Sequence, residues 1–474
     1  VEICFQAASN LRSTPSWSDS ILPIYFAMLA ELNDSFYGIV RESGGNNGRR
    51  PLVLSTLTAS PTQARLDELS KTIKKLDDPN LIATIHYYGF YPFSVNVGGS
   101  VSFDDTARSD LEQAFDRAYE TFVANGIPVI VGEFGLLGFD KYVGTIERGE
   151  VLKYLEYLTY YGQRKKFALM LWDNGQHFDR NALAWRNPDF YEVMNKGLAS
   201  RSSNAESDTV FVRRGEETRD VPIRLILNGN SLVEIRDSDR VLTAGTDYEL
   251  DGELLTLRAE LMKSLIKDGL GANAALTLIF SSGANWKLHI VHYDTPKLSS
   301  AKGIRSSFDI PAMFNGDRLA TMEADYAAGG HAGPDGWTAY KEFGKSFKPN
   351  DDGTLVTLTK EFFEQVQDGE VLLKLHFWSG EVVEYRLTVE GNKVSGVSTD
   401  EEVAAGTPVV DNASPAPTSS ATPASKPPKA EESGADKGAT ASNAMVYVAG
   451  GIVAAAVAMA IAEALRSRRR GRSR

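Results

Sequence analysis

The chain has 474 residues, 42% of them hydrophobic, and a formal net charge of −12, a length that at roughly one domain per 150 residues implies several cores rather than one. No basic stripe accompanies the acidic balance, which excludes phosphate neutralisation and with it a nucleic-acid partner. The single cysteine, Cys4, excludes an internal disulfide framework and a cysteine metal cluster.

The opening residues, VEICFQAASN, lack the charged, apolar and small-residue order of a signal peptide and read as the interior of a domain. Residues 1–203 then alternate β-rich apolar runs with amphipathic segments: PLVLSTL (51–57), NLIATIHYY (80–88), IPVIVGEFG (127–135) and FALMLWDNG (167–175). Runs that are apolar throughout predict a parallel sheet covered on both faces, the β-α-β logic of an α/β domain. Polar and aromatic residues gather at the C-terminal end of each run. In a barrel that end carries the active site, so His86, Tyr88, Glu133 and Trp172 are expected to converge there. The Gly44–Gly48 stretch lies between a helix and a strand and reads as a turn, and no Gly-x-Ser-x-Gly elbow is present.

From 204 to 296 the pattern changes to short alternating strands split by Gly, Asn and Asp, which predicts an antiparallel sandwich. Trp286 begins one of them and reads as core. His289 and His292, three apart on a strand, face opposite sides, and no metal site is expected. A second β-rich unit spans 297–397, with Trp337 after a Gly-Pro-Asp-Gly turn and Phe377-Trp378 ending a strand. Strand alternation sends Phe377 inward and Trp378 outward, making Trp337 and Trp378 candidate sugar platforms; burial of both is the alternative.

Residues 398–443 are rich in Pro, Ala, Ser, Thr, Glu and Lys, too poor in apolar surface to fold, and predict a disordered linker. Residues 444–465 are apolar apart from Glu463, and 466–474 are dominated by arginine. Such a span with a cationic flank predicts one transmembrane helix, a cytoplasmic C-terminus and extracellular modules; an Ala-rich helix lying on the membrane is the alternative.

The run ATIHYYGFYPFSVNVGG, then IPVIVGEFGLLGFD, then MLWDNGQHFDR, resembles glycoside hydrolase family 5, the cellulase and endoglucanase clan built on a (β/α)8 TIM barrel. The resemblance covers roughly residues 1–200 and corresponds to strands four to eight. The following sandwich resembles the X2 immunoglobulin-like module, and the last unit a family-46 carbohydrate-binding module. The resemblance implies a retaining endo-β-1,4-glucanase with no cofactor, whose partner is a β-glucan such as cellulose, mixed-linkage glucan or xyloglucan. It implies Glu133 as nucleophile, Tyr88 as its hydrogen-bond donor, His86 as a sugar contact and Trp172 as the floor of the subsite. Asn174 and His177, in the next loop, are further candidates for reaching the substrate.

Retaining hydrolysis needs a second carboxyl about 5 Å from the first, as proton donor. In the family it is the Glu of an Asn-Glu-Pro motif ending the fourth strand, and the corresponding letters here are Phe5-Gln6-Ala7. A glutamine cannot titrate, so two expectations stand: a fragment whose first residues are not authentic barrel sequence, or a polysaccharide-binding protein that kept the cleft and lost the acid.

Overall fold

A computed structural model describes residues 22–398 and 410–411. Gln6, the apolar 444–465 run, the arginine tail and all of the linker but residues 398 and 410–411 lie outside the described residues; Val410–Asp411, expected as disordered linker, instead pairs parallel with Ala301 and Lys302 as an edge strand. No helix among the described residues is long and apolar enough to cross a membrane.

The four apolar runs form β1 (Leu52–Ser55), β2 (Leu81–Tyr87), β3 (Val129–Phe134) and β4 (Ala168–Leu171), paired in that order and all parallel. Helices intervene as the periodicity demands. α1 (Leu22–Glu42) leads into β1 and α2 (Gln63–Leu76) follows it; α3 (Tyr91–Val95) and α4 (Asp105–Thr121) follow β2; α5 (Leu137–Lys141) and α6 (Arg148–Arg164) follow β3; α7 (Pro188–Gly197) follows β4. On α2, Leu66, Leu69 and Ile73 recur at helical spacing, as do Ala107, Leu111, Ala114, Phe115 and Ala118 on α4. These stripes bury against Leu54, Ala83, Ile85 and Val131, each large aliphatic residue contributing roughly 1.5–3 kcal/mol. Asp104 caps α4 by accepting the Ala107 amide at 2.9 Å, and Glu147 caps α6 from the Gly149 amide at 2.6 Å.

The expectation of a sheet covered on both faces holds for one face only among the described residues. Val53, Ile82 and Ile130 are half-buried, and Met170 on β4 is 49% exposed. A barrel turns this second face inward, where its opposite strands fill it; of the five strands expected, the first falls in residues 1–21, outside the described part.

The second module is a sandwich of a five-stranded and a four-stranded sheet. It departs from the expected antiparallel pattern in one pair. Strand Thr209–Arg213, at the edge of the five-stranded sheet, runs parallel to Trp286–Tyr293. Trp286 is 3% exposed and part of the core, as expected, and that core is continuous with the α/β core.

The third module pairs a four-stranded sheet with a six-stranded one. Strand Gly369–Phe377 alternates buried and half-buried residues, and Phe377 points into a core with Phe308, Phe347, Phe362 and Tyr385. The described residues belong to one compact unit, and the third module packs on the α/β module within it. Tyr142 stacks on Phe343 with centroids 5.9 Å apart, and the Tyr142 hydroxyl donates to Asp351 at 2.9 Å.

Candidate active site

The C-terminal ends of β2 and β3 bring three expected residues together. Ile85 pairs with Val131 but His86 pairs with Glu133, so Gly132 is an extra residue in β3. This bulge turns Glu133 onto the line of His86. The Tyr88 hydroxyl donates to Glu133 Oε2 at 2.6 Å, and His86 Nδ1 lies 3.1 Å from the same oxygen. Burial pushes the Glu133 carboxyl up, but hydrogen bonds from His86 and Tyr88, with the attraction of the imidazole, outweigh it and hold the group below its ordinary value. The result is an ionised, oriented carboxylate whose side chain is still 23% exposed. His86, expected as a sugar contact, is thus also a partner of Glu133.

Backbone supports surround this pair. The buried Tyr154 hydroxyl donates to the Gly135 carbonyl at 2.9 Å, and the Trp172 amide donates to the Phe134 carbonyl at 2.9 Å. Trp172 therefore leaves β4 beside the residues that follow Glu133, and a Cβ on Gly135 would lie 3.6 Å from the Tyr88 ring and 4.0 Å from Trp172 Cβ. Sequence reasoning singled out neither Tyr154 nor Gly132; a tyrosine mid-helix carries no signal of its hydrogen-bond target.

The loop after β4 is organised by Asp173, whose Oδ1 accepts the amides of Gly175 at 2.9 Å and His177 at 3.0 Å while Arg180 pairs with Oδ2 at 3.0 Å. Burial raises the Asp173 carboxyl, and these amides lower it further than that, so it stays charged. Asn174 is exposed and its Oδ1 accepts the Gln176 amide at 3.2 Å, an Asx turn. The expectation that His177 reaches substrate is corrected. It is 5% exposed and stacked on Phe139 at 5.2 Å, and burial pushes its imidazole below the ordinary value against the opposing charge of Asp173. His177 is a neutral core residue closing the loop.

Trp337 is 64% exposed, yet its ring edge borders the α/β module: a Cβ on Gly98 would come 2.7 Å from Trp337 Cη2. Tyr340 lies against Gly99 in the same way, at 3.2 Å. Gly98 and Gly99 both have positive φ, 66° and 74°, and follow α3 in the loop after β2. Trp337 therefore borders the loop that continues from His86 and Tyr88. Trp378 is half-buried, with its amide bonded to the Arg318 carbonyl at 3.0 Å. The structure attaches it to a different part of the seam, where Arg318 reaches Glu147 at 3.2 Å.

Comparison with known proteins gives three consecutive matches. The family described as "Cellulase (glycosyl hydrolase family 5)" matches residues 12–178, "Carbohydrate binding domain X2" matches 205–290, and the family-46 "Carbohydrate binding domain" matches 294–397. Endoglucanase B of Paenibacillus lautus is 50% identical over 372 residues, covering 78% of this chain and 66% of the relative. Endoglucanase 1 of Ruminococcus albus is 32% identical over 38% of this chain and 44% of its own length. Among solved structures, the tri-modular endo-β-1,4-glucanase B of Bacillus halodurans is 48% identical with a TM-score of 0.78, over 79% of this chain and 70% of that one. A tri-modular GH5 subfamily 4 endo-β-1,4-glucanase of Bacillus licheniformis, 26% identical, has a TM-score of 0.66 over 79% and 71%. The chain thus spans 66% of the Paenibacillus relative and under half of the Ruminococcus one.

Proposed function

The chain belongs to glycosyl hydrolase family 5, and from that premise we propose that it is a retaining endo-β-1,4-glucanase in which Glu133 is the nucleophile. The observation that carries the reading is the convergence of Tyr88 and His86 on one oxygen of Glu133. With Oε2 held by both donors, Oε1 bonds to the anomeric carbon as the glycosidic C–O bond breaks, the departing glucan oxygen taking its proton from the second carboxyl that retention requires; water then cleaves the glycosyl ester, its proton returning to that carboxyl, and frees Glu133. Trp172 floors the subsite, and Trp337 extends the cleft on the module side. The tri-modular endo-β-1,4-glucanases among the relatives support a β-1,4-glucan as substrate, cellulose, mixed-linkage glucan or xyloglucan. Module boundaries near residues 203 and 296 fit the same reading. The apolar 444–465 run with its arginine flank supports a membrane anchor with the modules outside the cell, which fractionation of expressing cells tests.

One observation favours a second reading. Residue 6 is a glutamine, and the resemblance puts it at the family's proton-donor position; a glutamine there would leave a protein that binds β-glucan without turning it over. Proton NMR of the first products released from a cello-oligosaccharide separates the readings. The β-anomer appearing first supports retention through Glu133; the α-anomer appearing first contradicts it; no product at all favours the binding protein.

A further inference from the structure

The segment between β2 and α4 makes two sets of contacts at once. Ser94, fully buried, donates its hydroxyl to the Tyr88 carbonyl and accepts the Leu137 amide at 2.9 Å. Tyr88 follows β2 and Leu137 opens α5 just after β3, so one hydroxyl ties the backbone that carries Tyr88 to the backbone that leaves the strand of Glu133. Two residues further on, Asn96 is 2% exposed and left-handed at φ 52°. Its Nδ2 donates to the Thr145 carbonyl at 2.9 Å and to the Ala320 carbonyl at 2.8 Å, and its own carbonyl accepts the Phe343 amide at 3.1 Å. Ala320 and Phe343 belong to the third module. Only the buried Val95 separates the residue that grips that module from the residue that grips Tyr88.

We propose that Asn96 is a positioning residue through which the third module holds the Ser94 bridge, and with it the Tyr88 hydroxyl, in place against Glu133. The proposal rests on the reading of Glu133 as nucleophile. Its physical basis is stiffness: two peptide units and a fully packed residue transmit a shift that a flexible linker would absorb. A hydrogen bond of 2.6 Å is lost when its donor moves by about 1 Å. Among the described residues, His86 and Tyr88 are the titratable side chains that contact Glu133, so loss of the Tyr88 bond leaves a carboxyl that ionises at higher pH.

The test uses the full chain and 2,4-dinitrophenyl 2-deoxy-2-fluoro-β-cellobioside. The Glu133 oxygen bonds to the anomeric carbon as dinitrophenolate departs with the electron pair. No proton donor is needed, so Gln6 does not obscure the result. The pH midpoint of dinitrophenolate release reports ionisation of Glu133 independently of how much protein is folded. Ser94→Ala and Asn96→Gly, the latter keeping the left-handed backbone without strain, are expected to move the midpoint upward, the direction also expected of Tyr88→Phe. A midpoint unchanged in Asn96→Gly while Tyr88→Phe shifts it overturns the proposal, because a merely structural asparagine alters only the amplitude. If peptide mapping finds no label on Glu133 in the unaltered chain, the nucleophile reading fails and the proposal with it.

Discussion

The Tyr88 hydroxyl and Glu133 Oε2 are 2.6 Å apart, and the strand that leads to Tyr88 is offset from the strand of Glu133 by the extra residue Gly132. The bulge and the bond belong together: without the added residue, the carboxylate would not stand opposite His86. In Tyr88→Phe the folded protein loses one donor to a charged acceptor, worth about 1.5–3 kcal/mol, or roughly 10- to 150-fold in kcat/KM. Because the lost bond lowers the Glu133 carboxyl, the acid limb of the pH profile moves upward in the same variant. A rate loss with an unmoved acid limb contradicts this role.

The junction of the three modules contains a buried carboxyl pair. Burial, and then the charge of Asp208, push Glu147 up to about 7, against the guanidinium of Arg318. Arg148, Lys153, Glu150 and His289 complete the charged and titratable surroundings. A carboxyl raised in the folded state favours folding below its unfolded value of about 4.3 and loses that contribution as pH climbs toward 7. Thermal midpoints are therefore expected to fall between pH 5 and 8 in the unaltered protein and to fall less in Glu147→Gln. Parallel slopes contradict the assignment.

Trp337 offers an exposed face beside the loop that continues from Tyr88. Trp337→Ala is expected to weaken retention in glucan affinity gels by about 2- to 12-fold, the equivalent of 0.5–1.5 kcal/mol for an aromatic contact. Gly98→Ala should do the same without removing the ring, since its Cβ would fall 2.7 Å from Trp337 Cη2 and displace it. Unchanged mobility in both variants removes Trp337 from the binding surface.

His177→Ala distinguishes a core residue from a sugar contact. With its ring stacked on Phe139 and close to Phe190, the substitution is expected to cost about 1–3 kcal/mol in denaturant unfolding and leave gel retention on glucan intact. Lost retention with unchanged stability reverses the assignment.

What the sequence disclosed follows from where the information lies along the chain. His86, Tyr88, Glu133 and Trp172 were legible because each ends a run of apolar residues, where a polar or aromatic side chain needs a reason. The inward Phe377 and buried Trp286 were legible from strand alternation and position. Gly132 was not, because a bulge depends on the neighbouring strand's register. His177 was misplaced because its burial comes from Phe139 and from Phe190 on α7, neither adjacent in sequence. Asn96 and Glu147 were not legible, because their partners Ala320 and Arg318 lie more than a hundred residues away.

Nucleophilic attack by Glu133 is read in reducing-sugar release from carboxymethyl-cellulose, barley glucan and xyloglucan, with the unaltered chain beside Glu133→Gln. Release by the unaltered chain and a loss on the order of 10⁴-fold or more in the variant are expected. Equal release by the two proteins, or none from the folded unaltered chain, contradicts attack by Glu133.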